Sequence, residues 1–87
     1  MSLPYYDANA VAAALPFDRT MRAIEEALRA DIDPEADGPR LFADAPEGEF
    51  LLMPAQSARF SGLKALTMAP NNPARGLEKI QGVYVLY

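Results

Sequence analysis

Three observations predict a small α/β domain of the α+β kind, with two N-terminal helices followed by a small mixed sheet of three to four or more strands. Apolar residues recur at helical spacing through the first third of the chain. After "DIDPEADGP" (31–39) the pattern changes to short strand-like runs. Turn signals at "APEG" and "PNNPARG" separate those runs. At 87 residues the chain is one domain or part of one.

The elements follow in order. Residues 7–15, "DANAVAAAL", form a short helix with Asp7 as N-cap, because its carboxylate can accept from a free first-turn N–H. Pro16 breaks the chain. From Phe17 to Ala30 the residues Phe17, Met21, Ile24 and Leu28 share one face. Arg22–Glu26 and Glu25–Arg29 form i,i+4 pairs on the solvated side. The Pro, Gly and Asp content of 31–39 makes it a loop. Strands are expected at Arg40–Ala43, Glu49–Met53, Gly62–Met68 and Ile80–Tyr87, with helix packed on sheet. The run "GVYVLY" ends the sequence without a polar tail, which suggests a partial domain truncated after Tyr87.

Composition narrows the function. With 51% hydrophobic and 23% charged residues the chain has the balance of a folded globular domain. Its apolar runs are too short to span a bilayer, and no signal peptide is visible at the N-terminus. A net charge of −4 argues against nucleic acid and anionic membrane as partners. The chain has no cysteine and no histidine. Thiolate catalysis, Ser-His-Asp triads and Cys- or His-based metal sites are therefore absent, and no metal ligand set is expected. The five glycines do not form GxGxxG or a P-loop, so no cofactor-binding residue is assigned here. Cytoplasm is the default location.

The candidates for chemistry are cationic. Period-two alternation puts Lys64, Leu66 and Met68 on one face of the third strand. A lysine with apolar neighbours needs an anion partner or loses its charge, unless it lies on an edge strand or snorkels to solvent. Arg40 follows Gly38-Pro39, which fixes the approach to the first strand, and its planar fork suits a carboxylate; taken alone, it reads first as a surface arginine paired with an Asp or Glu. "PNNPARGL" is a rigid turn with few internal hydrogen bonds, in which Gly76 supplies a special backbone angle. Met53-Pro54 closes the second strand, and Gln81 beside Gly82 could present an amide at a close approach.

The ordered set "R…(E)GEFLLMPA…GLKALTMAPNNPARGL…IQGVYVLY", with the opening "LPYYDANAVAAALPFDRTMRAIEEALRA", resembles the N-terminal region of the ornithine cyclodeaminase/mu-crystallin family. The resemblance covers nearly all of this chain but implies only about the first quarter of an intact family member. It implies that residues 1–87 are the N-terminal part of a substrate-binding and dimerisation lobe, with a Rossmann domain beyond. It also implies an NAD(P)-dependent cyclodeaminase, amino-acid dehydrogenase or ketimine/pyrroline-carboxylate reductase. The partners would be an amino acid or cyclic imino acid and a second copy, as a homodimer through the sheet. Arg40 would bind the substrate carboxylate and Lys64 would be the catalytic lysine, with Met53 and Gln81 counted beside them as substrate-binding and "PNNPARGL" as the loop alongside. Glu78 stands where many members have Pro, and Lys79 lies near a threonine of some cyclodeaminases; Gln81 leans toward the reductases and dehydrogenases. On this reading the chain alone binds no NAD(P) and transfers no hydride. From the residues alone the alternative is a non-catalytic binding or oligomerisation module.

Overall fold

A computed structural model describes residues 2–30 and 32–87. The chain divides into two compact units, Met1–Asp33 and Pro34–Tyr87.

The first unit holds both helices, α1 (Ala8–Ala14) and α2 (Phe17–Arg29). Asp7 caps α1 by accepting from the Ala10 N–H at 2.8 Å. Pro16 stands as N-cap of α2, where a fixed φ and a missing N–H do no harm. Two side chains of α2 reach back across this break. Arg19 donates to the Ala14 carbonyl and the Thr20 hydroxyl to the Leu15 carbonyl, each at 3.2 Å. Both carbonyls belong to the end of α1, where no further helical N–H can satisfy them. The stripe Phe17, Met21, Ile24 and Leu28 is exposed within the described structure. Glu25 accepts from Arg29 at 2.7 Å as expected, but Arg22 pairs with Asp18 at 3.7 Å and not with Glu26. Both observed pairs place the acid four residues before the arginine, the arrangement that agrees with the helix dipole.

The second unit is a four-stranded sheet in the order β1 (Leu41–Ala45), β2 (Gly48–Gln56), β3 (Ser61–Met68), β4 (Ile80–Leu86). Every pairing is antiparallel, which narrows the expected mixed sheet: the connections are short, and only a long crossover can join parallel neighbours. Between β1 and β2 the turn takes only Pro46 and Glu47, since Ala45 pairs with Gly48. At the next turn the Ser57 N–H donates to the Phe60 carbonyl at 2.8 Å, and the Ser57 hydroxyl accepts from the Arg59 and Phe60 N–H groups. Strand β2 runs past Met53-Pro54 to Gln56. Pro54 lies beyond the point where β1 begins, so a missing N–H toward that side removes no ladder bond.

The longest connection, "APNNPARGLEK", closes on itself. A 3-10 turn at Asn72–Arg75 ends at Gly76 with φ of 75°, the left-handed value expected from the sequence. The expectation of few internal hydrogen bonds does not hold. Asn72 is buried at 8% exposure; its N–H donates to the Ala69 carbonyl, its side-chain amide to the Glu78 carbonyl at 3.1 Å, and its carbonyl accepts from the Leu77 N–H. Its side-chain oxygen accepts from Arg75 at 2.7 Å, and Arg75 also pairs with Glu47 in the β1–β2 turn at 3.0 Å. A single buried amide thus ties the loop together, and the arginine beside it ties the loop to the far hairpin.

The register sorts side chains onto two faces. One carries Leu51 and Leu66, cross-strand partners and the two buried hydrophobic residues among those described, at 7% and 6% exposure. The other carries Leu41, Ala43, Phe50, Leu52, Leu63, Ala65, Val83 and Val85. Asn72→Ala is expected to destabilise the chain by about 1–3 kcal/mol, because it removes both part-buried side-chain hydrogen bonds that close the loop, to the Glu78 carbonyl and from Arg75. Arg75→Ala, which gives up a half-exposed ion pair and one bond to Asn72 but leaves the Asn72–Glu78 bond in place, should cost less than that. Urea unfolding of the two variants checks that ranking.

Candidate functional site

The same register builds the candidate site. Met53 on β2 lies opposite Lys64 on β3, and Lys64 opposite Tyr84 on β4. Arg40 immediately precedes β1, where Leu41 pairs with Leu52, so it continues the row next to Met53. Three side chains from three neighbouring strands, with Arg40 from the segment that leads into the fourth, therefore lie in one line across one face. Together they line an open depression of about 290 Å³, near the lower limit for small-molecule sites.

Met53 and Ala55, two apart on β2, make an apolar floor, with Lys64 beside them on β3. The segment before β1 makes one rim, through Asp37, Gly38 and Arg40. The Pro39 ring fixes the backbone just before Arg40, which holds that rim at the start of the strand. Tyr84 stands at the other end.

Lys64 is exposed and lies on an inner strand, not an edge. The side chain reaches solvent, as the snorkelling alternative has it, although the strand is not an edge. Arg40 is exposed as well. Among the described residues neither cation enters an ion pair. The third charge lining the depression is the half-buried Asp37 carboxylate. Two cations and one carboxylate around an apolar floor can receive a small anion or a zwitterion: the guanidinium fork matches a carboxylate and the ammonium offers a point charge with three donors.

The structure brings Arg40, Met53 and Lys64 together and does not bring Gln81 to them. Gln81 pairs with Thr67, which puts it on the opposite face, one residue out of phase with Tyr84. "PNNPARGL" does not flank the depression either. It follows Met68, at the end of the sheet where Arg75 meets Glu47, while the depression lies toward the start of β1. Sequence reasoning missed Asp37 and Tyr84. Asp37 sits in a loop rich in acids, without periodicity to single it out. Tyr84 became visible only through its cross-strand partner.

The five glycines form no GxGxxG fingerprint, and among the described residues no strand leads into an α-helix. Among the described residues no acidic cluster could hold a metal ion, and no helix is long and apolar enough to cross a membrane.

No protein-family model matches the chain. Over 77 residues it is 30% identical to an alanine dehydrogenase of Archaeoglobus fulgidus, an alignment that takes in 87% of this chain and 24% of that protein. Its fold is similar to a solved archaeal alanine dehydrogenase, a dimer with bound NAD, at a TM-score of 0.77 and 27% identity over 93% of this chain and 26% of that one. The chain spans about a quarter of the length of these relatives. Its two helices and four-stranded antiparallel sheet match part of a larger dehydrogenase.

Proposed function

We propose that this chain is the N-terminal part of the substrate-binding lobe of an NAD(P)-dependent enzyme of the ornithine cyclodeaminase/mu-crystallin family, acting on an α-amino acid or imino acid. The observation that carries this reading is the row itself: Arg40, just before β1, and Lys64, on β3, line one depression over an apolar floor. The similarity to alanine dehydrogenases favours an amino-acid dehydrogenase over a cyclodeaminase.

In this reading Arg40 clamps the substrate carboxylate with two parallel N–H···O bonds. That fixes the α-carbon over Met53. Lys64, the next residue in the row, then lies at the α-nitrogen or at the keto oxygen that replaces it. Its ammonium donates a hydrogen bond to that atom and stabilises negative charge growing there. NAD(P) supplies hydride chemistry to the intact enzyme from residues outside these 87, since the residues present do not fit it.

A homodimer through the sheet completes the reading. The face opposite the site offers eight apolar positions, five of them β-branched or bulky aliphatic residues besides Phe50 and the alanines, and Leu41 and Val83 remain more than half exposed. Contiguous apolar surface of that kind marks an association surface. The solved archaeal relative is a dimer.

Titration of the chain with L-alanine and with pyruvate, followed by amide shifts at Met53 and Lys64, tests the site. Arg40→Ala should weaken binding roughly tenfold to a hundredfold, as expected for loss of a charge-assisted pair. Lys64→Ala should weaken it as well, whereas Gln81→Ala on the other face should leave it unchanged. Binding that is indifferent to both cations would refute the assignment. For the interface, sedimentation velocity should show a dimer that Val83→Asp converts to monomer, because a carboxylate cannot be buried there without a partner.

A further inference from the structure

The depression reaches Ala55 on β2 but stops before Gly62, the cross-strand partner of Ala55 on β3. Gly62 is buried, and what covers it is Tyr84. A methyl group added at Gly62 would collide with the Tyr84 hydroxyl and the ring carbons behind it. The phenol therefore does not stand upright beside Lys64, its direct neighbour in the register. It leans across to the next row and rests on the one position of β3 that has no side chain. In that posture it occupies the floor space that would extend the depression past Ala55.

We propose that Tyr84 is the specificity-determining residue of the site, a wall seated on Gly62 that restricts the ligand to acids with short side chains. This inference rests on the reading above, in which Arg40 holds the carboxylate. Arg40 lies on the β1 side and Gly62 on β3, two strand spacings away, or about 10 Å. A ligand anchored at Arg40 and lying over Met53 extends its side chain along the floor toward the ring. Each added methylene brings the chain closer to the phenol, which can yield only by leaving its seat. Gly62 is thus part of the same device: without a Cβ at that position the ring lies low, and with one it cannot.

The test measures dissociation constants of the 87-residue chain for L-alanine, L-norvaline and L-norleucine by amide-shift titration. The wild-type chain should prefer alanine to norvaline by roughly tenfold or more, the usual penalty for a side chain that a pocket does not accommodate. Tyr84→Phe should keep that gap, because the ring remains. Tyr84→Ala should abolish it by admitting the longer acids, and Gly62→Ala should narrow it in the same direction by unseating the ring. A gap unchanged in both Tyr84→Ala and Gly62→Ala overturns the inference, as does a wild-type chain that binds all three equally. Arg40→Ala separates the two readings. If it weakens all three ligands while Tyr84→Ala leaves the gap intact, the carboxylate anchor stands and the wall falls. If Tyr84→Ala closes the gap while Arg40→Ala has no effect, the wall stands and the anchor falls. No binding of any of the three by the wild-type chain overturns both.

Discussion

The register of β3 between β2 and β4 is the constraint on which the rest of the structure depends. Side chains alternate across a pleated strand, so a slip by one residue would exchange the faces of every position it carries. In the observed register Lys64 falls in line with Met53 and Tyr84, while Leu63 and Ala65 join Leu52 and Val83 on the apolar side. Slipped by one, the lysine would sit in the middle of that apolar surface and a leucine or alanine would take its place at the depression. The charge of Lys64 itself opposes the slip, because it would interrupt the apolar face that the pairing assembles, at a cost that grows with how far that face is covered. Gly62 acts in the same sense: of the β3 positions near the depression, it alone leaves room for the Tyr84 ring.

Register must also be held from the ends of the strands, and here the long connection contributes most. Asn72 bonds to both arms of the β3–β4 connection, its backbone N–H to Ala69 and its side-chain amide to Glu78, so one buried residue sets the length of that loop. Arg75 carries the restraint on to Glu47 in the β1–β2 turn. The ion pair is exposed and weak, but the arginine also donates to Asn72, which makes it a bridge between two turns. The segment that looked like a neighbour of the site acts instead on the geometry of the whole sheet, from its other end.

Much of the fold was legible because its signals are local. The Asp7 cap, the stop at Pro16 and the helical period of Phe17 to Leu28 lie within a few residues of what they determine, as does the positive φ of Gly76. Four strands could be counted because turn residues punctuate them. The misreadings share one cause. The reach of β2 past Pro54 depends on where β1 begins, the partner of Arg22 on a choice between two acids, and the face of Gln81 on the phase of β4 relative to β3. These are relations between segments, and a single strand's composition does not carry them. The site shows the same division. Arg40 and Lys64 stand out as types, a guanidinium after a proline and an ammonium in an apolar run. That they share a depression with Asp37 and Tyr84 follows only from pairing.

The two faces of this sheet have different chemistry but one backbone, and that links the proposed association to the proposed site. Only Leu51 and Leu66 are buried among the hydrophobic residues described, a small core for four strands, and small sheets draw their stability from whatever covers them. A second copy on the face of Leu52, Ala65 and Val83 would cover β2, β3 and β4 together, the three strands that carry Met53, Lys64 and Tyr84 on the other side. Neighbouring residues of one strand point to opposite faces, so restraining Ala65 and Val83 restrains the backbone of Lys64 and Tyr84 directly. The site would then gain its definition from an interface that none of its own side chains touches. Arg40 is the exception, since it precedes β1 and is positioned by Gly38-Pro39. It follows that association should sharpen the lysine and tyrosine end of the row more than the arginine end.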